Sequence, residues 1–555
     1  MNFRCKIVQL WVTIAVSIVF AQVVNASELE YQEVASEVIM NSLKSQPKRS
    51  FLRKLYAQLF FVPVWMQEKK LSTAAKDLFA QIKNDGTLDT NGILYQNALD
   101  FEKKAQAIYT PEGTTLQKIE LEIKISQLYH AYTNYAYMGS INWGAFQARI
   151  SNLMVNDVNT EWVLHRPKFK AIDIVENAAL GGSLSKQLKN AIPKQYHYRE
   201  LQKKLVEYRQ IEQEGGWPHV LLQKTLKKGQ TADGVIGLRK RLRITGDYIP
   251  CKQSIDNNNT YDTCLQKAVK HFQQRNGLAV DGDIGSGTLK ALNITVKKRI
   301  GSILLNLDRI KWLKQQTAKR HIIINIPDFM LYFEEDGKLI QKIRTVVGRP
   351  NHPTPIFSNI VRRIVLNPYW NVPKSIVQKE LIPKLLKNPK AMEKKGIEIR
   401  AGWGKHAKKV DASLVDWREY QYSKYVPFRF AQLPGKRNAL GKLKFLFPNK
   451  YSVYMHDTPS KGLFSRSKRA YSHGCVRLQK PRELLKTFAK FNQNIDLQKS
   501  QEILKGKEKT SITLEERVPI DVIYLTSWVD YDGVLQFRND VYGYDKMQLK
   551  SFRKW

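Results

Sequence analysis

The chain is 555 residues long, and 90 Lys and Arg against 50 Asp and Glu give it a formal net charge of +40. Its hydrophobic fraction of 43% and charged fraction of 25% are typical of globular proteins, which excludes wholesale disorder and a collagen-like structure. The length predicts about three or four domains. No apolar run beyond the N-terminus reaches about 18 residues, which excludes a polytopic membrane protein. The basic excess indicates an anionic partner: nucleic acid, a phospholipid surface or an acidic polymer.

The N-terminus has the order of features of a secretory signal. Arg4 and Lys6 precede an apolar stretch over residues 7–20, and a Val-Asn-Ala sequence ends at Ala26, where compact residues suit a cleavage site. We expect residues 1–26 to be a signal peptide, and an uncleaved anchor is the alternative. In either case the body of the protein is exported, which argues against nucleic acid as the partner.

The first half of the mature chain is predicted to be helical. Apolar residues recur at three- and four-residue spacing, for example over residues 73–82 and 119–137, which favours amphipathic helices. The aromatic residues that recur at this spacing are interpreted as core. Residues 27–220 are therefore predicted to form a helical scaffold domain with no catalytic cluster.

Residues 224–295 are predicted to form a three-helix module. Asp262 is placed to cap a helix that begins at Thr263, and Gly277 follows the end of that helix in the position of a left-handed C-cap. The pattern AVKHFQQRNGLAVDGDIGSGTLKALN resembles the three-helix peptidoglycan-binding domain. A spacer of the same fold that has lost its ligand is the alternative.

The cysteines divide into a pair and a single residue. Cys5 lies in the signal, whereas Cys251 and Cys264 are thirteen residues apart in a polar, Asn-rich loop, a spacing that permits a local disulfide. Two free thiols are the alternative for that loop. Cys475 is left alone, and an unpaired cysteine in an exported protein is a candidate reactive thiol.

From His321 onward the sequence alternates apolar and polar residues in the manner of strands. A β-rich domain with covering helices is predicted over residues 320–500, with a basic lid insertion at about 370–430. A hairpin within residues 501–555 is predicted to complete the body formed by the scaffold and catalytic domains. The fold class predicted for the whole chain is therefore multidomain α+β.

Two of the ten histidines lie close to Cys475 in the sequence. His456 precedes Cys475 by 19 residues, and His473 precedes Cys475 by two residues. A cysteine nucleophile needs a base and donors for the oxyanion, and the N–H groups around Gly474 and Cys475 are candidate donors. An inert buried cysteine with two packing histidines is the alternative on these residues alone.

The signature His456-x15-SHGCVR resembles that of the L,D-transpeptidase catalytic domain, the YkuD-like fold. The segments NPYWNVPKSI (367–376), NALGKLKFLFPN (438–449) and WVDYDGVLQFRNDVYG (528–543) are similar to the large periplasmic L,D-transpeptidases of the YcbB type. Those proteins also carry a helical scaffold and a peptidoglycan-binding module. The resemblance thus covers essentially the whole mature chain and implies a periplasmic location.

The resemblance implies roles for individual residues. Cys475 is the nucleophile, His456 is the general base and acid, and the backbone carbonyl of Asp457 orients His456. His473 and Ser472 shape the pocket or the oxyanion hole, and His473 and Gly474 are counted with the catalytic residues. The residues expected to bind substrate are Ser472, Arg477, Asp457, Tyr454 and Trp370.

Arg477 stands where many smaller members of the family carry Asn. It lies two residues past Cys475, so in an extended strand both side chains point to the same face. It could bind a substrate carboxylate through two hydrogen bonds. A bracing role for the catalytic loop is the alternative.

The implied reaction forms 3→3 cross-links between peptidoglycan tetrapeptide stems through a thioester, releases D-Ala, and needs no cofactor or metal. Carbapenems are expected to acylate the cysteine. The alternatives are hydrolysis of the same thioester, attachment of a protein to the wall, exchange of the terminal D-amino acid and a non-catalytic wall-binding role. A redox role is disfavoured because Cys475 has no partner in a CxxC pair. A zinc site at His456, His473 and Cys475 is disfavoured because no fourth ligand lies near them in the sequence. The expected partners are peptidoglycan, the anionic inner-membrane surface and other cell-wall synthesis enzymes.

Overall fold

The computed structural model describes residues 26–110, 113–155, 160–251, 259–402 and 406–553. The predicted signal sequence up to residue 25, Cys5 included, lies outside these ranges. The chain is a multidomain α+β protein with a helical scaffold, a three-helix module and a β-rich part, which confirms the predicted fold class. In the described ranges, none of the helices has both the length and the apolar character needed to span a membrane.

The scaffold part is a bundle of helices around one apolar core. Buried residues from Tyr31 to Leu188 form this core. Several helices begin at serine or threonine caps, such as Ser72, whose hydroxyl accepts a hydrogen bond from the Ala75 N–H. The helices are Ala26–Ser42, Phe51–Gln58, Thr73–Lys83, Ile93–Ile108, Thr115–Met138, Ala171–Ala179 and Leu184–Leu188.

Two segments that the sequence pattern assigned to the scaffold pack elsewhere. Helix Trp143–Val155 contributes Trp143, Phe146 and Ile150 to the core of the β-rich domain. Helix Tyr198–Gln213 packs against helix Val296–Lys311, and the two cover one outer face of the sheet. Both helices are amphipathic, and which apolar surface they cover is decided by contacts with residues distant in the sequence.

The three-helix module has a core of its own, formed by buried residues from Val220 to Leu292. Its helices are Gly234–Ile244, Thr263–Arg275 and Ser286–Leu292. The predicted cap is confirmed, because the Asp262 carboxylate accepts a hydrogen bond from the Leu265 N–H at 2.8 Å. Gly277 has a φ of +63°, the left-handed conformation that glycine adopts without strain.

The β-rich domain is built on a nine-stranded sheet. Its strands are β1 Arg320–Asn325, β2 Met330–Glu335, β3 Lys338–Gly348, β4 Phe357–Leu366, β8 Leu443–Leu446, β9 Met455–His456, β10 Ala470–Ser472, β11 Val476–Leu478 and β12 Thr510–Ile523. They lie in the order β10-β3-β11-β9-β8-β4-β12-β1-β2, and β2 also pairs with β3. The sheet therefore closes into a cylinder whose interior holds apolar side chains. The predicted hairpin is present between β2 and β3, with Asp336 and Gly337 at positive φ.

The lid insertion is a small unit with its own core of buried residues between Val372 and Phe430. Strands β5 Trp370–Asn371, β6 Ile397–Ala401 and β7 Phe428–Gln432 form a separate sheet in the order β5-β7-β6. A helical segment follows β5 and contains one π-helical turn, Val377–Leu381, between Lys374–Ile376 and Ile382–Lys387. The insertion thus has its own framework for holding a helix near the site.

The C-terminal segment completes the β-rich domain. β12 lies between β4 and β1 in the sheet, and β13 Ser527–Val529 pairs with β14 Leu535–Phe537 as the predicted hairpin. This part of the chain also contains the α-helices Pro481–Ala489, Leu497–Lys505 and Tyr544–Leu549. The sheet is therefore closed only by residues beyond 500.

Candidate active site

Three neighbouring strands bring the predicted site residues to one face of the sheet. β11 runs parallel to β9 with Arg477 paired to His456, and β8 pairs antiparallel with Lys444 opposite His456. Because side chains alternate along a strand, Tyr454 and Cys475 share the face of His456 and Arg477. Val476 and Met455 point the other way into the core. The 19 residues between His456 and Cys475 therefore fold back so that the two side chains lie on adjacent strands.

Cys475 is a half-buried free cysteine held beside the strand that carries His456. The neighbouring Val476 N–H donates to the Tyr454 carbonyl at 3.0 Å, which fixes the backbone next to the thiol. The Cys475 Sγ lies 3.8 Å from the carbonyl oxygen of Ser452. Ser452 has a φ of +55°, so a sparsely populated backbone conformation places this carbonyl against the thiol.

His456 is buried and has one ring nitrogen engaged. Its Nδ1 donates to the backbone carbonyl oxygen of Asp457 at 2.5 Å. The Asp457 carboxylate is turned elsewhere and accepts hydrogen bonds from the Lys442 and Thr458 N–H groups. The Nδ1–H tautomer leaves Nε2 with its lone pair, which is the state required of a general base.

Two cations flank this histidine and the thiol. Arg477 lies on one side, and its Nε is buried with no hydrogen-bond partner among the described residues. Lys444 lies on the other side, with its Nζ 3.7 Å from the centroid of the Tyr454 ring. Sequence reasoning missed Lys444. The alternation of the segment LKFLF could have placed it on the outer face, but not beside Cys475.

The electrostatics keep the resting thiol and imidazole uncharged. Burial raises the pKa of the Cys475 thiol, although Tyr454, Lys444 and Arg477 act in the opposite direction. Burial and the Arg477 charge lower the pKa of His456 to about 3, against the effect of its bond to Asp457. Burial also lowers the pKa of Lys444. A neutral base beside a thiol, with cations ready for the thiolate, suits nucleophilic catalysis.

The turn before Cys475 is fixed by short polar contacts. Gly474 has a φ of +105°, which favours glycine at this position. The Ser472 hydroxyl donates to the Cys475 carbonyl at 2.5 Å and accepts from the Gly474 N–H at 3.2 Å. Ser472 therefore organises the turn, and the Gly474 N–H predicted as an oxyanion donor has an internal partner in this state.

His473 connects the catalytic turn to the lid insertion. Its Nε2 lies 2.6 Å from the Glu380 carboxylate on the π-helical turn and 2.9 Å from Arg349 Nη2 at the end of β3. The ring of His352 lies 5.0 Å from that of His473, centroid to centroid. No sequence pattern pointed to Glu380, because only folding brings the insertion against the turn.

The other predicted residues divide between the site and more distant positions. Trp370 lies in β5 and packs against the core of the lid insertion, whereas Tyr454 lies beside His456 with ring centroids 5.6 Å apart. Cys251 and Cys264 are disulfide-bonded within the three-helix module, with Cα atoms 6.3 Å apart. In the part of the chain that the structure describes, no three His, Cys, Asp or Glu side chains are grouped to hold a metal.

Comparison with known families matches three segments of the chain. Residues 319–498 match the L,D-transpeptidase catalytic domain (YkuD), and residues 50–205 match a scaffold domain. Residues 231–292 match the family described as "Putative peptidoglycan binding domain". The chain therefore carries an L,D-transpeptidase catalytic domain joined to a peptidoglycan-binding domain, which confirms the resemblance found in the motifs.

A curated relative supports the same assignment. A "Putative L,D-transpeptidase" of Haemophilus influenzae is 32% identical over 259 residues, which are 47% of this chain and 50% of the relative. The chain thus spans about half the length of that relative.

Two solved structures show a weaker likeness. The L,D-transpeptidase from Mycobacterium smegmatis is 12% identical over 37% of this chain and 59% of its own, with a TM-score of 0.17. That of Stackebrandtia nassauensis is 14% identical over 54% of this chain and 94% of its own, with a TM-score of 0.22. TM-scores this low carry no argument about the site.

Proposed function

We propose that the chain is a periplasmic cysteine L,D-transpeptidase that forms 3→3 cross-links between peptidoglycan tetrapeptide stems. The observation that supports this proposal is the arrangement of Cys475 and His456 on one sheet face, with His456 Nδ1 engaged by the Asp457 carbonyl. The matches of the catalytic and peptidoglycan-binding domains supply the class of reaction and of substrate.

In the first half-reaction the Cys475 sulfur attacks the carbonyl carbon at the L-centre of the third stem residue. His456 Nε2 takes the thiol proton, and Lys444 and Arg477 stabilise the negative charge that develops. The carbon–nitrogen bond to D-Ala breaks, and the leaving nitrogen receives the proton from His456. A thioester on Cys475 and free D-Ala result.

In the second half-reaction the side-chain amine of another stem attacks the thioester. His456 takes a proton from that amine and returns it to sulfur as the carbon–sulfur bond breaks. The new amide is the cross-link, and no external energy source is needed because the thioester retains the reactivity of the acyl group. Ping-pong kinetics follow from the covalent intermediate.

The experiment uses the chain from Ser27 as wild type and as Cys475→Ala, each incubated with a disaccharide tetrapeptide and followed by mass spectrometry. We expect a covalent adduct on the wild type alone, together with a cross-linked dimer that has lost one D-Ala. Tripeptide without dimer would assign the carboxypeptidase reaction instead. An adduct on Cys475→Ala, or no turnover by either protein, would contradict the proposal.

The location and partners form part of the same proposal. The signal-like N-terminus predicts export, and a net charge of +40 draws the protein to stem carboxylates and to the anionic inner-membrane surface. Both attractions weaken as salt screens the charges. Fractionation of cells that express the full chain should place it in the periplasm; recovery from the cytoplasm would contradict export.

A further inference from the structure

A large cavity lies between the peptidoglycan-binding module and the catalytic domain. Its volume is about 1230 Å³, which exceeds the ~300–1,000 Å³ usual for a small-molecule pocket. One wall comes from the module segment 274–291, and the opposite wall comes from segments 327–330, 467–469 and 537–541 of the catalytic domain. We call this cavity the interdomain groove; its size suits a segment of a polymer.

The two walls of the interdomain groove are joined by direct contacts. Arg538 donates to the Arg275 carbonyl of the module at 3.0 Å and to the Asp328 carboxylate of the catalytic domain at 2.6 Å. Gly277 packs so closely that an added Cβ would lie 2.4 Å from the Arg538 side chain. The width of the groove is therefore set by packing, and the groove exists before any ligand arrives.

The interdomain groove is basic. Eight Lys and Arg line it against four Asp. Lys290, Lys342 and Lys468 are exposed, and no carboxylate among the described residues pairs with them or with Arg344. Cations that lack a carboxylate partner in a concave site attract an anionic ligand. The hydroxyl group of the exposed Ser286 also lines the groove.

The groove leads to the face that carries Cys475. Lys342, Arg344 and Val346 alternate on one face of β3, and Val346 is paired with Arg477 in β11. Four residues of β3 separate Arg344 from the level of Cys475, which is ~13 Å at ~3.3 Å per residue. An extended tetrapeptide spans about the same distance.

We propose that the interdomain groove binds the glycan strand of an anionic, peptide-bearing wall polymer, while a stem runs along β3 to Cys475. The proposal rests on the proposed function for the identity of the stem, and it adds the place where the strand lies. The lysines contact the carboxylates of a neighbouring stem on the same strand, and the module and the catalytic domain each form one wall of a single site. The module on its own would then be only half of the binding site.

The experiment measures binding to the full mature chain carrying Cys475→Ala, so that no turnover occurs. The probes are a glycan of two disaccharide units with tetrapeptide stems and the free tetrapeptide, titrated calorimetrically at about 0.15 M salt. The variant is Lys342→Glu with Lys468→Glu. The matched control is Lys499→Glu with Lys507→Glu, exposed lysines that do not line the groove.

We expect the groove variant to weaken glycan binding at least tenfold relative to the control and to reduce the preference for glycan over free tetrapeptide. An equal loss for both probes, or a loss matched by the control, would overturn the proposal. Competition by polyglutamate as effective as that by the glycan would also overturn it, because charge alone would then explain binding.

A neutral obstruction tests the groove without changing its charge. Gly287 lines the groove and has nothing within 4 Å of an added Cβ, so Gly287→Trp places an indole at the wall. Gly237 in the same module is equally open but lies outside the lining, and Gly237→Trp is its control. We expect only Gly287→Trp to weaken glycan binding tenfold or more; unchanged binding would contradict the proposal.

Failure of the proposed function and failure of the groove give different results. If the wild type shows no thioester or cross-link but the Cys475→Ala chain binds glycan through the groove, the binding site is supported and the proposed reaction is wrong. If cross-links form but the groove variants bind glycan as their controls do, the proposed reaction is supported and the groove assignment is wrong.

Discussion

Two buried histidines on the same sheet are held in opposite charge states. His321 on β1 lies 2.7 Å from the Asp521 carboxylate and 3.6 Å from that of Glu334. Burial opposes its charge, but these two carboxylates outweigh burial and raise the pKa of His321 to about 9. For His456 on β9, burial and the nearby cation of Arg477 act together and lower the pKa to about 3.

Burial alone therefore does not decide what a histidine does here. Both rings are about equally hidden, at 5% and 4% exposure for His321 and His456, and the difference comes from the charges that surround them. Carboxylates turn His321 into a fixed cation of the fold. Burial keeps His456 neutral and the Arg477 charge acts in the same direction, so that His456 can accept a proton in the proposed reaction.

The largest effect is expected from removing the neutral histidine. His456→Gln keeps a polar group that can bond to the Asp457 carbonyl but removes the base, so kcat/KM should fall about 10²–10⁴-fold. Cross-link formation by mass spectrometry provides the rates, and urea unfolding checks that the fold is retained. Activity within tenfold of wild type would show that the base lies elsewhere.

The charged histidine should instead affect stability. His321→Gln leaves the buried Asp521 and the partly buried Glu334 without their cation, and we expect a loss of about 3 kcal/mol in the free energy of unfolding. Because the folded pKa is raised from 6.5 to about 9, the contribution is complete below pH 6.5 and disappears as pH rises through 9. Urea titrations between pH 6 and 9.5 measure it; a pH dependence equal to that of wild type would contradict this assignment.

The cation beside the thiol should have an intermediate effect. Lys444→Met removes a charge that favours the Cys475 thiolate, so alkylation by iodoacetamide at pH 7.5 should slow about three- to tenfold. Alkylation of the wild type should accelerate as pH rises through the raised thiol pKa. Lys444→Arg should restore most of the rate, and Lys499→Met should leave it unchanged. Equal slowing by Met and Arg would indicate a packing role instead.

The smallest effect is expected at His473, which contacts both an acidic and a basic side chain. Its Nε2 meets the Glu380 carboxylate and the Arg349 guanidinium. Glu380→Gln weakens one partly exposed polar contact between the lid insertion and the turn before Cys475, so KM should rise about two- to fivefold, with a smaller change in kcat. Glu393→Gln, an exposed residue of the same insertion, is the control. A larger fall in kcat than rise in KM would mean that Glu380 acts in the chemical step.

Local features were predictable because local residues determine them. The β2–β3 hairpin follows from Asp336-Gly337, and the helix start at Thr263 follows from Asp262. The motif around Cys475 predicted the family of the catalytic domain. The allocation of helix Tyr198–Gln213 was not predictable, because its apolar face suits several surfaces and only the folded chain shows which one it covers.

The sequence by itself determined the fold class, the three-part organisation and the pair Cys475 and His456 as the candidates for chemistry. Only the tertiary structure placed Lys444 beside the thiol, Glu380 against His473 and the module against the catalytic domain. The physical reason is the distance along the chain between the residues that determine each feature. Turns, caps and strand alternation depend on neighbours in the chain, whereas the charge state of a buried group depends on whatever residues packing brings around it.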